Sequence, residues 1–147
     1  MPLQRFNDFE AYTDALAGVD CVMGLVGPGR GEWTLELLDA GDVVAMLGSD
    51  GAPVLFNGLN EHHRYLAYVS LPGSDAAMQG QETSDEQFIW YPPGGEVHGY
   101  SRRPSRFIAL SMDVVAVVQR AREVAGLFDD HIARITPVNI GREEVTA

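Results

Sequence analysis

The chain has 147 residues, of which 46% are hydrophobic, and its formal net charge is −11 from 10 basic and 21 acidic residues. This composition predicts one globular domain with a real core and argues against direct binding to nucleic acid or an anionic membrane. A single cysteine, Cys21, excludes an internal disulfide and a multi-cysteine zinc site. The N-terminus shows no signal-peptide pattern, and no apolar run approaches the ~20 residues that cross a bilayer, so we expect a cytoplasmic protein.

The first predicted element is a short helix within residues 6–18. Asn7 or Asp8 can cap its N-terminus, and Gly18 can end it. Its apolar face consists of Phe9, Tyr12 and Leu16. We expect this helix to form a flap on the outside of the main body.

Short apolar runs alternate with clusters of Gly, Pro, Asn and Asp between residues 19 and 112. Many short strands without helices between them predict an antiparallel sandwich or barrel. The predicted strands span residues 22–26, 33–39, 43–47, 54–56, 64–71, 77–81, 87–91, 97–100 and 106–112.

A helical pair is predicted for residues 113–136, before a tail at 137–147. Asp113 can cap the first helix, and residues 129–135 form the second. The first helix carries an apolar stripe of Val114, Val117, Val118, Ala121, Val124 and Ala125. This stripe packs either on the protein's own barrel or, in part, against the same helix of a second subunit.

A proline–glycine turn, Pro92-Pro93-Gly94-Gly95, interrupts the strand region near its end. Proline cannot donate to a sheet ladder, and glycine permits tight turns, so one strand must end here and another begin. The next strand then places Glu96, His98 and Tyr100 at alternate positions on one face. We expect that face to point inward.

The pattern Pro93-x-Gly95-x-x-His98 resembles the central part of the second cupin motif. The order of elements is similar to the N-terminal sensing domain of AraC-type transcription regulators. Phe6, Asp8, Ala15 and Leu16 match the family pattern of the first helix, and the "PPGGEV" run resembles its "PPG" turn. This resemblance covers about residues 6–135. It implies a cupin-like double-stranded β-helix, or jelly-roll, barrel at residues 19–112 with flanking helices.

The chain departs from the metal-binding pattern of enzymatic cupins. In place of His-x-His it has the adjacent pair His62 and His63, and if this segment is extended only one of the two side chains faces inward. Gln87 and Arg102 stand where the second motif has glycine and asparagine. We therefore expect no cofactor; the alternative is a divalent metal at one of His62 and His63 together with His98.

Aromatic and polar side chains of the strands predict a pocket for a small organic molecule, because Tyr and Trp combine an apolar ring with a polar end. The expected ligand-binding residues are His63, Glu96, His98 and Tyr100 with the aromatic residues Trp33, Tyr65 and Trp90.

The resemblance implies an effector-binding domain that forms a homodimer through its C-terminal helix. In that family DNA is bound by a separate helix-turn-helix domain. The alternative from another class is a small metal-dependent cupin oxygenase, isomerase or lyase, in which His98 is a ligand and Glu96 or Tyr100 an acid–base group. A purely structural dimerisation module with a filled barrel is a third interpretation.

Overall fold

Two antiparallel sheets make up most of the computed structural model, which describes residues 3–16, 19–29, 31–125 and 136–139. Their strands are β1 (Leu3–Phe6), β2 (Val19–Leu25), β3 (Trp33–Asp39), β4 (Val43–Ser49), β5 (Val54–Asn60), β6 (Arg64–Ser70), β7 (Ala76–Met78), β8 (Gln81–Glu82), β9 (Gln87–Tyr91), β10 (Glu96–Ser101), β11 (Arg106–Asp113) and β12 (Thr136–Asn139). The helices among the described residues are α1 (Phe9–Ala15) and α2 (Val114–Ala125).

The strand order is that of a jelly roll. One sheet has the order β1-β3-β4-β11-β6-β9-β12 and the other β2-β5-β10-β7-β8. If strands β4 to β11 are numbered 1 to 8, the two sheets read 1-8-3-6 and 2-7-4-5, which is two Greek keys folded together. The predicted jelly roll is confirmed, but the described strands do not close into one barrel. Each sheet ends in two edge strands, β1 and β12 in one sheet and β2 and β8 in the other, and β8 has only two residues.

The core lies between the two sheets, where alternate residues of facing strands meet. It consists of Tyr12, Leu35, Met46, Leu66, Met78, Ile89, Tyr91, Val97, Phe107 and Ala109. Members such as Leu35 and Val97 are 0% and 2% exposed. Burial of each such side chain stabilises the fold by about 1.5–3 kcal/mol.

Helix α1 seals one part of this core. Asp8 caps it, because the carboxylate Oδ1 accepts a hydrogen bond from Ala11 N at 2.7 Å. Tyr12 is fully buried, and its ring lies 5.0 Å from Trp33 and 5.8 Å from Phe6. The helix packs on the outside of the sheets, with Glu10, Ala11 and Asp14 exposed, and it reaches the core through Tyr12.

Helix α2 begins where predicted, with Asp113 Oδ1 accepting from Ala116 N at 3.1 Å. The side chains of Val114, Val117, Val118 and Ala121 are half-buried, whereas Val115 is 72% exposed. The side chains of Val124 and Ala125 and the predicted helix at 129–135 lie outside the described residues. Neither described helix is long and apolar enough to span a membrane.

Two short edge strands, β1 and β12, were absent from the sequence prediction, and a third, β8, begins at the end of the single strand predicted at 77–81. Leu3–Phe6 pairs with β3, ahead of the predicted helix, and Thr136–Asn139 pairs with β9 in place of the predicted helix end and tail. Both are edge strands, so each of them pairs with only one neighbouring strand along its four residues. Pro137 is compatible with such an edge because its missing N–H is tolerated there.

Candidate ligand cavity

The proline–glycine turn is held in place by a buried asparagine. Gly94 adopts a φ of 70°, and Gly95 N donates to Pro92 O at 3.0 Å. Asn60, only 1% exposed, donates from Nδ2 to Arg64 O at 2.7 Å and to Pro92 O at 3.0 Å. A side chain at Gly94 would also come within 2.8 Å of His62 Nδ1. The predicted turn is thus present, and it fixes the start of β10.

Strand β10 faces the opposite way from the sequence prediction. Its buried residues are Val97, Gly99 and Ser101, whereas the side chains of Glu96 and His98 are 72% and 49% exposed and Tyr100 is 41% exposed. The expectation that these three side chains point inward is therefore wrong. The physical reason is that Val97 supplies an apolar side chain to the core. Gly99 also leaves room for Met78, because a Cβ atom at position 99 would overlap Met78 Sδ.

The outward side chains form a polar surface of their own. His98 lies with Nδ1 2.8 Å from Asn57 Oδ1 and Nε2 3.1 Å from Glu96 Oε2. The Tyr100 hydroxyl accepts from Arg102 Nη2 at 3.0 Å. Arg102 also donates to Asp75 and to Glu82, and its hydrogen bonding to Glu82 lowers the pKa of the Glu82 carboxyl.

The other predicted ligand residues do not line a shared pocket. Trp33 packs against α1, and Tyr65 stacks on Trp90 at 4.9 Å on the face of β6 opposite Leu66. His63 has a 71% exposed side chain that lies 3.5 Å from Glu61. Among the described residues, no three His, Cys, Asp or Glu side chains are grouped so that they could hold a metal ion, and the alternative set of His62, His63 and His98 is not brought together.

A cavity of about 80 Å³ lies between the two sheets. This is several times the ~15 Å³ that a single water molecule requires. Its apolar wall consists of Leu16, Met23, Met46, Val54, Phe56, Leu66, Ala76, Met78, Val97, Gly99, Phe107 and Ala109. Of the predicted ligand residues, Tyr100 alone borders this cavity within the described part of the chain.

A buried carboxyl stands in the cavity wall. Asp50 is 8% exposed, and its Oδ1 accepts a hydrogen bond from Tyr12 Oη at 2.8 Å. Burial raises the pKa of Asp50 to about 6, although the hydrogen bond from Tyr12 acts in the opposite direction. Burial and the Asp50 charge raise the pKa of Tyr12, so that the phenol stays protonated and remains the donor.

Tyr68 and Tyr91 add two further phenols to the wall. Burial raises the pKa of both, which keeps them neutral. Tyr91 is 0% exposed, and its buried hydroxyl has no hydrogen-bond partner in the described part of the chain. A buried donor without a partner costs stability, and its presence beside a cavity is typical of a site that a ligand completes.

The sequence prediction omits Tyr12, Asp50, Tyr68 and Tyr91 as ligand residues. The sequence carries a signal that Tyr91 faces the core, because Tyr91 alternates with the apolar Ile89. Both residues are buried in β9. No such signal exists for Asp50, which stands beside the glycine of a turn and reads as an ordinary turn residue.

No protein-family model and no functionally curated protein matches the sequence. Among solved structures, the AraC-like transcriptional activator CuxR aligns with 84% of this chain at a TM-score of 0.58 and 15% identity. The chain has a cupin-like fold. It spans 51% of the CuxR chain. The predicted resemblance to AraC-type sensing domains is therefore matched at the level of the fold.

Two further solved structures share less of the architecture. A cupin 2 conserved barrel domain protein from Salinispora arenicola aligns with 62% of this chain and 84% of its own, at 15% identity and a TM-score of 0.39. Protein Ylba from E. coli aligns with 86% of this chain and 49% of its own, at 15% identity and a TM-score of 0.46.

Proposed function

We propose that the chain is an effector-binding and dimerisation domain of an AraC-type transcription regulator. It binds a small organic molecule between its sheets. DNA is bound by a separate helix-turn-helix domain where the gene encodes one. The observation that carries this proposal is the apolar cavity with the unpartnered Tyr91 hydroxyl in its wall, in a fold shared with an AraC-like activator.

A ligand in the cavity contacts elements that lead to both helices. Leu16, directly after α1, borders the cavity, and so do Phe107 and Ala109 of β11. Strand β11 continues into α2 at Val114, whose N–H donates to His63 O at 3.0 Å. Filling the cavity therefore acts on α2 through one continuous strand.

The dimer contact is assigned to the outer side of α2. Val115 is exposed, and Val114 and Val118 border a surface groove with Arg122. Exposed valine in a helix is unfavourable in water, because valine has modest helix propensity and gains little unless it is buried. Burial of the Val115 side chain against a second copy of the chain removes this unfavourable exposure. A ligand that fits one dimer arrangement better shifts the equilibrium towards it, by as much as its affinities differ.

Thermal-shift screening of the purified chain with a library of small metabolites tests this proposal, with oligomeric state measured by light scattering. A true ligand at a hundred times its Kd stabilises the fold by about 2.7 kcal/mol and raises the Tm by several degrees. Ala109→Leu, which extends a side chain into the cavity, should abolish the response. Ala11→Leu on the exposed side of α1 should leave the response unchanged.

A library that yields no binder to the folded wild-type chain would contradict ligand sensing and favour the structural dimerisation module. Binding that survives Ala109→Leu would place the ligand elsewhere. Turnover of a hit, with a stoichiometric metal, would favour the enzymatic alternative.

A further inference from the structure

The cavity has a chemical character that restricts its ligand. Of the residues that border it, Asp50 alone carries a carboxyl group, and no Arg, Lys or His of the described chain lies among them. A carboxylate, phosphate or sulfate would meet a buried carboxyl without any counter-charge, in a chain whose net charge is already −11. Burial of an unpaired anion in such surroundings is unfavourable, so the cavity excludes anionic ligands.

The polar side chains of the cavity wall are not equally available to a ligand. The Asp50 carboxylate already accepts from Tyr12 at 2.8 Å, so the protein itself occupies one of its oxygens. The hydroxyl of Tyr91 has no partner, although Tyr91 is completely buried. The phenol stays protonated, because burial raises its pKa. The group that still requires a partner is therefore a neutral hydroxyl, whose O–H is free to donate.

The rest of the wall is mainly apolar, and its serine hydroxyls already have protein partners. Ser101 Oγ accepts from Val54 N at 3.0 Å, and Ser105 Oγ donates to Arg103 O at 3.0 Å. Met23, Met46 and Met78 reach the cavity from three different strands, and Phe56 and Phe107 add aromatic rings. Methionine side chains adapt to irregular shapes and make favourable contacts with rings. A sugar-like ligand with many hydroxyls would leave most of them unpaired against this wall.

We propose that the cavity takes small, neutral, predominantly apolar molecules with one hydrogen-bond-accepting oxygen, such as an alcohol, phenol or ketone, and that Tyr91 Oη donates to that oxygen. This inference rests on the proposed sensing function and names its ligand class. A neutral ligand is preferred over an amine, because an ammonium group would be desolvated beside a single carboxylate that is already hydrogen-bonded.

Four probes with the same ring separate these possibilities: toluene, benzyl alcohol, benzoate and benzylamine. Their affinities are measured by calorimetry on the 147-residue chain. We expect benzyl alcohol to bind about tenfold more tightly than toluene, as one net hydrogen bond contributes, and benzoate and benzylamine to bind more weakly than toluene.

Tyr91→Phe removes only the unpartnered hydroxyl, so the folded state should be as stable as the wild type or more so. Its affinity for benzyl alcohol should fall to that for toluene. Tyr65→Phe is the matched control, because Tyr65 stacks on Trp90 on the face of β6 that points away from the cavity. The control should retain the tenfold preference.

The outcomes separate the two proposals. Three results would show that the ligand class is wrong while the cavity remains a ligand site. Benzyl alcohol binds no more tightly than toluene, Tyr91→Phe retains the preference for the alcohol, or benzoate or benzylamine binds as tightly as the alcohol. If none of the four binds to the wild type at millimolar concentration, the cavity is not a ligand site, and both proposals fall.

Discussion

The buried carboxyl of Asp50 makes the stability of the fold depend on pH in an unusual direction. Its pKa rises from 3.8 to about 6 on folding, mainly through burial. The folded state therefore holds its proton more tightly than the unfolded chain. The stabilisation from this group is complete below pH 3.8 and is lost as the pH rises through about 6. A shift of about two pKa units corresponds to about 3 kcal/mol.

Asp50→Asn removes this charge and retains an oxygen that can accept from Tyr12 Oη. At pH 4 the variant and the wild type bury a neutral group alike. At pH 7.5 the wild type buries a carboxylate, whereas the variant does not. We therefore expect the free energy of unfolding of the variant, relative to the wild type, to increase by about 2 kcal/mol between pH 4 and pH 7.5, because the carboxyl of the unfolded chain is already partly ionised at pH 4. Any cost of burying the amide is independent of pH and cancels in this difference.

Urea denaturation across this pH range measures the difference, with Asp14→Asn as the control. Asp14 is an exposed carboxyl on α1, so its substitution should give a nearly flat difference. The groups that face Asp50 are the phenols of Tyr12 and Tyr68, which stay neutral throughout because their pKa values are raised. A flat profile for Asp50→Asn, or a relative loss of stability as the pH rises, would refute the assigned burial and charge of this side chain.

Three further variants test other contacts. Tyr12→Phe should lower the free energy of unfolding at pH 7 by about 1–3 kcal/mol in urea, because a buried carboxylate loses its donor; a loss within 0.5 kcal/mol, the range of ordinary surface changes, would contradict that contact. His98→Ala should leave the calorimetric affinity for benzyl alcohol unchanged, since the ring lies on the outer face; a tenfold loss would return the ligand site to that face. Val118→Glu should weaken the dimer at least tenfold in sedimentation experiments, whereas Arg120→Gln, which changes the net charge by the same amount at an exposed position outside the groove, should not; equal effects of both would argue against a contact through the valine side of α2.

The elements of this fold follow from local signals in the sequence. Strands such as Trp33–Asp39 and Gln87–Tyr91 have the predicted bounds, because turn residues mark both ends of each apolar run. Both helices begin at their predicted caps, Asp8 and Asp113. The short edge strands escaped prediction, because β1 contains Gln4 and Arg5 and has an apolar residue only at each end.

The orientation of β10 shows where local signals end. Glu96, His98 and Tyr100 alternate with Val97, Gly99 and Ser101, so two opposite orientations fit the same segment. The resemblance to the cupin motif favoured an inward orientation of the face with His98. In the structure, the burial of Val97 decides which face of β10 packs on the core. Asp50 could not be found from sequence at all, because its role depends on Tyr12, which lies 38 residues away along the chain.

Methionine methyl NMR tests most directly whether a ligand enters between the sheets. Met23, Met46 and Met78 border the cavity, whereas Met112 lies on the opposite face of β11 from Phe107 and Ala109. Titration of benzyl alcohol into the chain labelled with ¹³C at its methionine methyls should move the three cavity signals together and saturably, and leave Met112 in place. Saturable binding that moves Met112 and leaves the other three unchanged would contradict a ligand site in the core.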